Sequence, residues 1–179
     1  MPEEVPLKKD RDDRARIRKA VLTIYLATAA AFLVWLGGIL LAPYLESRSS
    51  PWAGLAYFVY KPVCHQIADR SFSCFGRPLA VCARCTGIYL GFLIGLGLYP
   101  LLRGWGRPAL PAGRVFFLVS APILLDTAAN FLRLWDTPNA GRLVTGILWG
   151  TILPFYVMSG LADLVLSRKK RLKSARNCP

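Results

Sequence analysis

Acidic residues are scarce in this chain. Ten Asp and Glu stand against 23 Lys and Arg in 179 residues, charged residues of both signs make up only 18%, and histidine occurs once. Disordered segments and ordinary water-soluble domains carry more charge, so both fit poorly to a chain that is 54% hydrophobic with a mean hydropathy of +0.39. Also missing are a nucleophile elbow, a phosphate-binding loop and a helical zinc-protease motif, so no named reaction can be read from a local signature. No internal repeat, low-complexity tract or soluble second domain is visible.

What the chain does have is long apolar runs. Ala20–Leu45 is free of charge and long enough to cross about 30 Å of hydrocarbon at about 1.5 Å per helical residue. Thr86–Leu102 is uncharged and barely long enough, Val115–Leu132 carries one acid, Asp126, and Leu143–Leu166 carries one, Asp163. These runs predict an all-α integral membrane four-helix bundle with spans at about 20–45, 86–102, 115–132 and 143–166. Lys and Arg precede the first run as in a secretory signal, but the run is longer than a signal core and ends Ala-Pro-Tyr-Leu-Glu without a small-residue cleavage site, so it reads as a retained span. The domain reading is a basic tail (1–19), a transmembrane domain (20–167) and a second basic tail (168–179), with both tails expected to be mobile. Four short spans without a repeat leave little room for alternating access, which argues against a transporter.

Residues 1–19, 103–114 and 167–179 together hold sixteen of the 23 basic residues. The bias predicts a multi-pass plasma-membrane protein with both termini in the cytoplasm and the 46–85 connection outside. The same placement accounts for the net charge of +13 without nucleic acid: Arg168-Lys-Lys-Arg-Leu-Lys173 beside a span reads as a topology anchor against anionic headgroups, and no interleaved aromatics or reader motif accompany it.

The 46–85 connection is the informative segment. Trp52–Tyr60 is apolar and aromatic but too short to span, which suits a short interfacial helix ended by Pro62. Behind it come Cys64-His65-Gln66, then Arg70-Ser-Phe72, Cys74, Gly76 and Cys82-Ala-Arg-Cys85-Thr-Gly-Ile-Tyr89. Four of the five cysteines and the single histidine fall between 64 and 85. A Cys-x-x-Cys pair brings two thiolates to one centre, and Cys64 or His65 can complete a tetrahedral site, for which zinc is the default metal. Neighbouring residues seldom face the same ion, so one of Cys64 and His65 is expected to support the site or act as a base. Thiol–disulfide chemistry competes: a Cys-x-x-Cys pair at a helix start with Arg84 between the sulfurs would have a stabilised thiolate. A structural disulfide and unpaired buried thiols also stay open. Covalent haem is disfavoured because Thr86 stands where the attachment motif needs histidine.

The strings Cys64-His-Gln-(x)3-Arg70-Ser-Phe72 and Val81-Cys-Ala-Arg-Cys-Thr-Gly-Ile-Tyr89 resemble the signature of the bacterial and archaeal membrane-protein family called domain of unknown function 2085, over about residues 60–165. The resemblance implies a small multi-spanning membrane protein and no established activity. Cys74 lies outside that pattern, which leaves Cys64, His65, Cys82 and Cys85 as metal-ligand candidates.

Asp126 sits mid-span, where a carboxylate is costly and usually faces a bundle interior. Asn130 and Arg133 share its helical face, and Asn139, Arg142 and Thr145 open the fourth span. Arg142 and Arg133 are the expected cationic partners of Asp126, with an Asp126 packing bond as the bland alternative; Asp163 reads as interfacial. Candidate catalytic residues are Asp126, Arg142 and His65. Gly87, Gly91 and Gly95, with Gly146 and Gly150, predict close packing of the second and fourth spans within one bundle rather than in a homodimer. Cys178 is expected in the reducing compartment, apart from the cluster.

Three classes of function follow. One is a membrane metalloprotein acting on a lipid or other membrane-soluble substrate. A second is a thiol oxidoreductase serving a quinone or a partner thiol, and the third a noncatalytic scaffold whose cysteines staple a loop. Oligomeric state and substrate are left open by the sequence.

Overall fold

The computed structural model describes residues 4–105 and 110–176, and only the backbone path for residues 4–10, 166 and 168–176. In chain order the elements are α1 (Glu4–Ser47), α2 (Ala53–Tyr60), a single 3-10 turn (Ala68–Arg70), a hairpin of β1 (Ser73–Cys74) and β2 (Arg77–Pro78), α3 (Ala83–Arg103), α4 (Gly113–Phe131) and α5 (Asn139–Arg176). Helices α1, α3, α4 and α5 are long and apolar enough to cross a membrane. The protein is thus an all-α integral membrane protein with a short helix and a cysteine-rich segment between its first two spans.

The helices overrun the apolar stretches. The basic tails are helical from Glu4 and as far as Arg176. Their Arg, Lys and Ala content favours helix, and Asp12 and Arg16 stand at the supportive four-residue spacing. Cys178 lies outside the described residues.

The tightest packing is between α3 and α5, which run parallel and meet along their glycines. A Cβ added to Gly87, Gly91 or Gly95 would collide with the backbone of Leu143, Ile147 or Thr151, and one added to Gly146 or Gly150 with that of Arg84 or Ile88. Only glycine permits that approach, and the lipid solvent supplies no hydrophobic drive to replace it. The first turn of α3, which holds Arg84 and Cys85, is therefore pinned against the first turns of α5.

Helix α2 ends at Tyr60, just before Pro62 as expected, and its Tyr60 hydroxyl donates to the Trp35 carbonyl of α1 at 2.7 Å. Gly38 makes room for that ring, since a Cβ there would overlap the Tyr60 hydroxyl. The hairpin was not anticipated. It turns at Phe75 and Gly76, both left-handed at φ 54° and 71°, and pairs Ser73 with Pro78 and Cys74 with Arg77. Tyr57 of α2 donates to the Pro78 carbonyl at 2.6 Å, and burial, then neighbouring Glu46, pushes its phenol above the usual range so that it stays a donor. Ile39, Ala42, Tyr60, Cys64, Leu79, Ala80 and Val81 form the buried cluster that these contacts enclose.

Candidate metal centre

Cys82 is the residue that caps α3. Its backbone is extended (φ −69°, ψ 164°), and its carbonyl accepts the first helical bond from Thr86 N–H at 2.9 Å and a second from the Thr86 hydroxyl at 3.1 Å. Cys85 lies one turn further on. Cys64 reaches the same point from the other side, at the end of the turn after α2, where its N–H is held by the Tyr60 carbonyl at 3.0 Å. The sulfurs of Cys64, Cys82 and Cys85 all lie within 4.8 Å of one another, Cys64 buried and the other two half-buried. Three thiolates on one tetrahedral zinc, at about 2.3 Å each, stand about 3.8 Å apart, so the cluster needs only a small contraction to hold an ion. The Cys82 N–H donates to Cys64 Sγ at 3.1 Å, a contact that stabilises negative charge on sulfur.

Gln66 holds the two halves of the cluster together. It adopts the left-handed region at φ 54°, and its side-chain amide donates to the Tyr57 carbonyl at 2.7 Å and the Ala80 carbonyl at 2.9 Å. One side chain thus ties the end of α2 to the strand of chain that delivers Cys82. The motif carried Gln66, but nothing local revealed that both its partners would be carbonyls, 9 and 14 residues away.

The charge state of the cluster follows from its contacts. Cys82 is held well below the usual thiol range, first by hydrogen bonding from Cys64 and then from Cys85, with the backbone N–H groups of Cys85 and Arg84 adding to it against the opposing effect of burial. Three sulfurs this close cannot all ionise without a cation. The expected cation, Arg84, is turned away: its guanidinium pairs with Asp126 of α4.

That pair corrects the expected network. Asp126 meets neither Arg142 nor Arg133. Its Oδ2 accepts from Arg84, its Oδ1 from the Thr137 hydroxyl and, at 3.2 Å, from Asn130 Nδ2. Arg133 leaves the shared face because α4 ends at Phe131 and Arg133 takes a left-handed backbone at φ 56°. Arg142, 4% exposed, donates instead to Asn130 Oδ1 at 3.1 Å and to Asp136 Oδ1 at 2.7 Å. Asn130 links the two ion pairs, and it also donates to the Thr137 hydroxyl at 2.7 Å.

His65 does not join the sulfurs. It is exposed, while its neighbour Cys64 is buried, as expected when consecutive side chains point to opposite sides of a turn. Cys74, on β1, packs half-buried against the neighbouring core instead of joining the group. All four described cysteines are free thiols.

Similarity to known proteins covers the same region. The chain is 32% identical over 152 residues to an uncharacterized protein of Methanocaldococcus jannaschii, covering 82% of this chain and 97% of that one. It is 50% identical over 88 residues to an uncharacterized protein of Methanothermobacter thermautotrophicus, covering 49% of this chain and 78% of the relative. No solved structure matches. The family model described as "Predicted membrane protein (DUF2085)" matches residues 64–156, from the buried thiol Cys64 to the middle of α5, and the chain belongs to that family.

Proposed function

We propose that this protein is a membrane metalloprotein whose resident metal, zinc by preference, is held by Cys64, Cys82 and Cys85. The observation that carries the reading is the convergence of three sulfurs within 4.8 Å where the guanidinium of Arg84, between Cys82 and Cys85 in sequence, is engaged by Asp126. Soft, crowded thiolates with no internal counter-charge suit zinc, and also copper(I). With His65 outside the group, three protein ligands leave a fourth position open, the arrangement of catalytic rather than structural zinc. Such a metal would supply Lewis acidity to a bound oxygen.

The chain's own residues supply the support. Gln66 and the Cys82 N–H fix the sulfurs, and Trp35, Tyr60 and Tyr89 pack beside them, with Trp35 4.6 Å from Tyr60 and 6.3 Å from Tyr89 between ring centroids. An aromatic wall at the level of a short interfacial helix suits a lipid or another membrane-soluble substrate. Asp126, its oxygens occupied by Arg84, Thr137 and Asn130, acts as a positioning residue that orients the Cys82–Cys85 turn. The basic-residue bias supports a plasma-membrane orientation with both termini inside and the cluster outside. Impermeant labelling of single cysteines placed at Ser49 and Gly113 tests this: label on the former alone is expected, and label on the latter alone reverses it.

One observation favours a second reading. Cys82 caps a 21-residue helix with a depressed thiol pKa, as in thiol oxidoreductases that exchange electrons with a quinone or a partner dithiol. Cobalt(II) reconstitution separates the two. Intense sulfur-to-cobalt charge transfer, abolished by Cys64→Ser and retained in Cys74→Ser, is expected; a spectrum indifferent to Cys64 overturns the three-thiolate site.

A further inference from the structure

A pocket of about 360 Å³ lies between the chain segment that follows Cys64 and the α4–α5 connection. Ile67, Asp69 and Arg70 form one wall, and Asp136–Asn139 with Arg142 form the other. None of these is a sulfur ligand.

Arg142 dominates its chemistry. The side chain is 5% exposed, and a guanidinium cannot shed its charge to suit burial. Both of its side-chain hydrogen bonds, to Asn130 and Asp136, run through Nη2, so the remaining donors of the fork are left to the pocket that Arg142 lines. The acid beneath it, Asp126, is spent on Arg84 and Thr137. Among the described residues the sole carboxylate on Arg142 is thus Asp136, whose side chain is 88% exposed and held by one bond. Such a carboxylate is easily displaced by a better-matched anion. Arg70 stands on the opposite wall, Asn139 reaches across to that wall by its bond to the Asp69 carbonyl at 3.2 Å, and the 38-residue helix α5 begins on the Arg142 side of the pocket. Asp69 is the one further acid on the lining, next to Arg70 in the 3-10 turn.

We propose that this pocket binds a phosphate group, with Arg142 as the buried fork, Arg70 closing over the opposite side and the Asp136 carboxylate occupying the anion's place until it arrives. The volume accepts a phosphate with a few further heavy atoms, which matches free phosphate and the headgroup of an anionic lipid equally. The site is independent of whether the thiols carry metal.

The test is calorimetric titration of the purified detergent-solubilised protein with sodium phosphate and, separately, with dihexanoyl phosphatidic acid, with metal content measured on the same samples. Asp136→Asn removes the occupant and is expected to tighten binding at least threefold. Arg70→Gln is expected to weaken it at least threefold, and Arg142→Gln to abolish it. Asp136 and Arg70 are exposed, so their variants remain informative if Arg142→Gln fails to fold. Equal binding of both probes assigns the site to soluble phosphate, and binding of the lipid alone assigns it to a headgroup. If neither probe binds wild type, or Asp136→Asn binds no more tightly, the proposal is wrong.

Discussion

The two ends of the helical bundle are made of different material. At one end Val21, Tyr99, Met158 and Ala162 form a buried cluster bordered by Ile17, Ile24, Tyr25, Trp105 and Phe155, with rings in edge contact such as Tyr25 on Trp105 at 5.2 Å. At the other end the α3 and α5 first turns gather three thiols, Arg84, Asp126, Asn130, Thr137 and Arg142. Both ends join the same long helices, so packing alone did not require the polar set. Charges buried in a membrane bundle are expensive and often no more stabilising than hydrocarbon, so their concentration at one end supports the proposal that the functional site lies there.

The sharpest way to break the comparison is to unpair a charge at the polar end. Arg84→Ala leaves Asp126, 6% exposed, without its cation, and is expected to cost about 3–5 kcal/mol in unfolding measured in detergent. Asp126→Asn costs less, because Arg84 is 22% exposed and can turn to solvent. The Arg84→Ala, Asp126→Asn double variant should recover part of the loss, and a fully additive cycle would dissolve the link. At the apolar end, Met158→Ala opens a cavity worth about 2–5 kcal/mol and is expected to lower the melting temperature with metal content unchanged. Metal loss in Met158→Ala would erase the distinction between the ends.

Gln66→Ala sharpens it at lower cost. Two carbonyls lose their donor, for about 1–3 kcal/mol, and metal should dissociate faster under chelator than from wild type. A smaller effect concerns pH. The Cys82 thiol is depressed in the folded state, so its contribution to stability is present above the unfolded thiol pKa and is lost only as pH falls through the lower folded value. Alkylation of Cys82 in metal-free protein should therefore vary little between pH 6 and 8, whereas glutathione alkylation rises steeply. A Cys82 rate that climbs in parallel with glutathione would remove the stabilised thiolate.

The apolar architecture was legible because its signals are local or periodic: uncharged runs, glycines at four-residue spacing, and Pro62 at the end of α2. The Cys82–Cys85 pair was legible for the same reason, whereas the sequence left open which of the neighbours Cys64 and His65 would join it. The partner of Arg84 was not. Placed between two cysteines it reads as their electrostatic activator, yet its carboxylate lies 42 residues away and reaches it only because α4 docks beside α3. Arg142 was misassigned to Asp126 by the same blindness: helical spacing shows which residues share a face but not which faces meet. The hairpin escaped notice because Phe75 occupies a left-handed position that is usually signalled by Asn, Asp or Gly.

Metal at the thiol cluster is tested most directly by elemental analysis of protein purified without chelator, paired with a count of free thiols on the same sample. The expected result is about one zinc or copper per chain, with Cys64, Cys82 and Cys85 protected from alkylation until chelator is added and the metal lost in Cys82→Ser. Protein devoid of metal, with Cys82 and Cys85 joined in a disulfide, would contradict it.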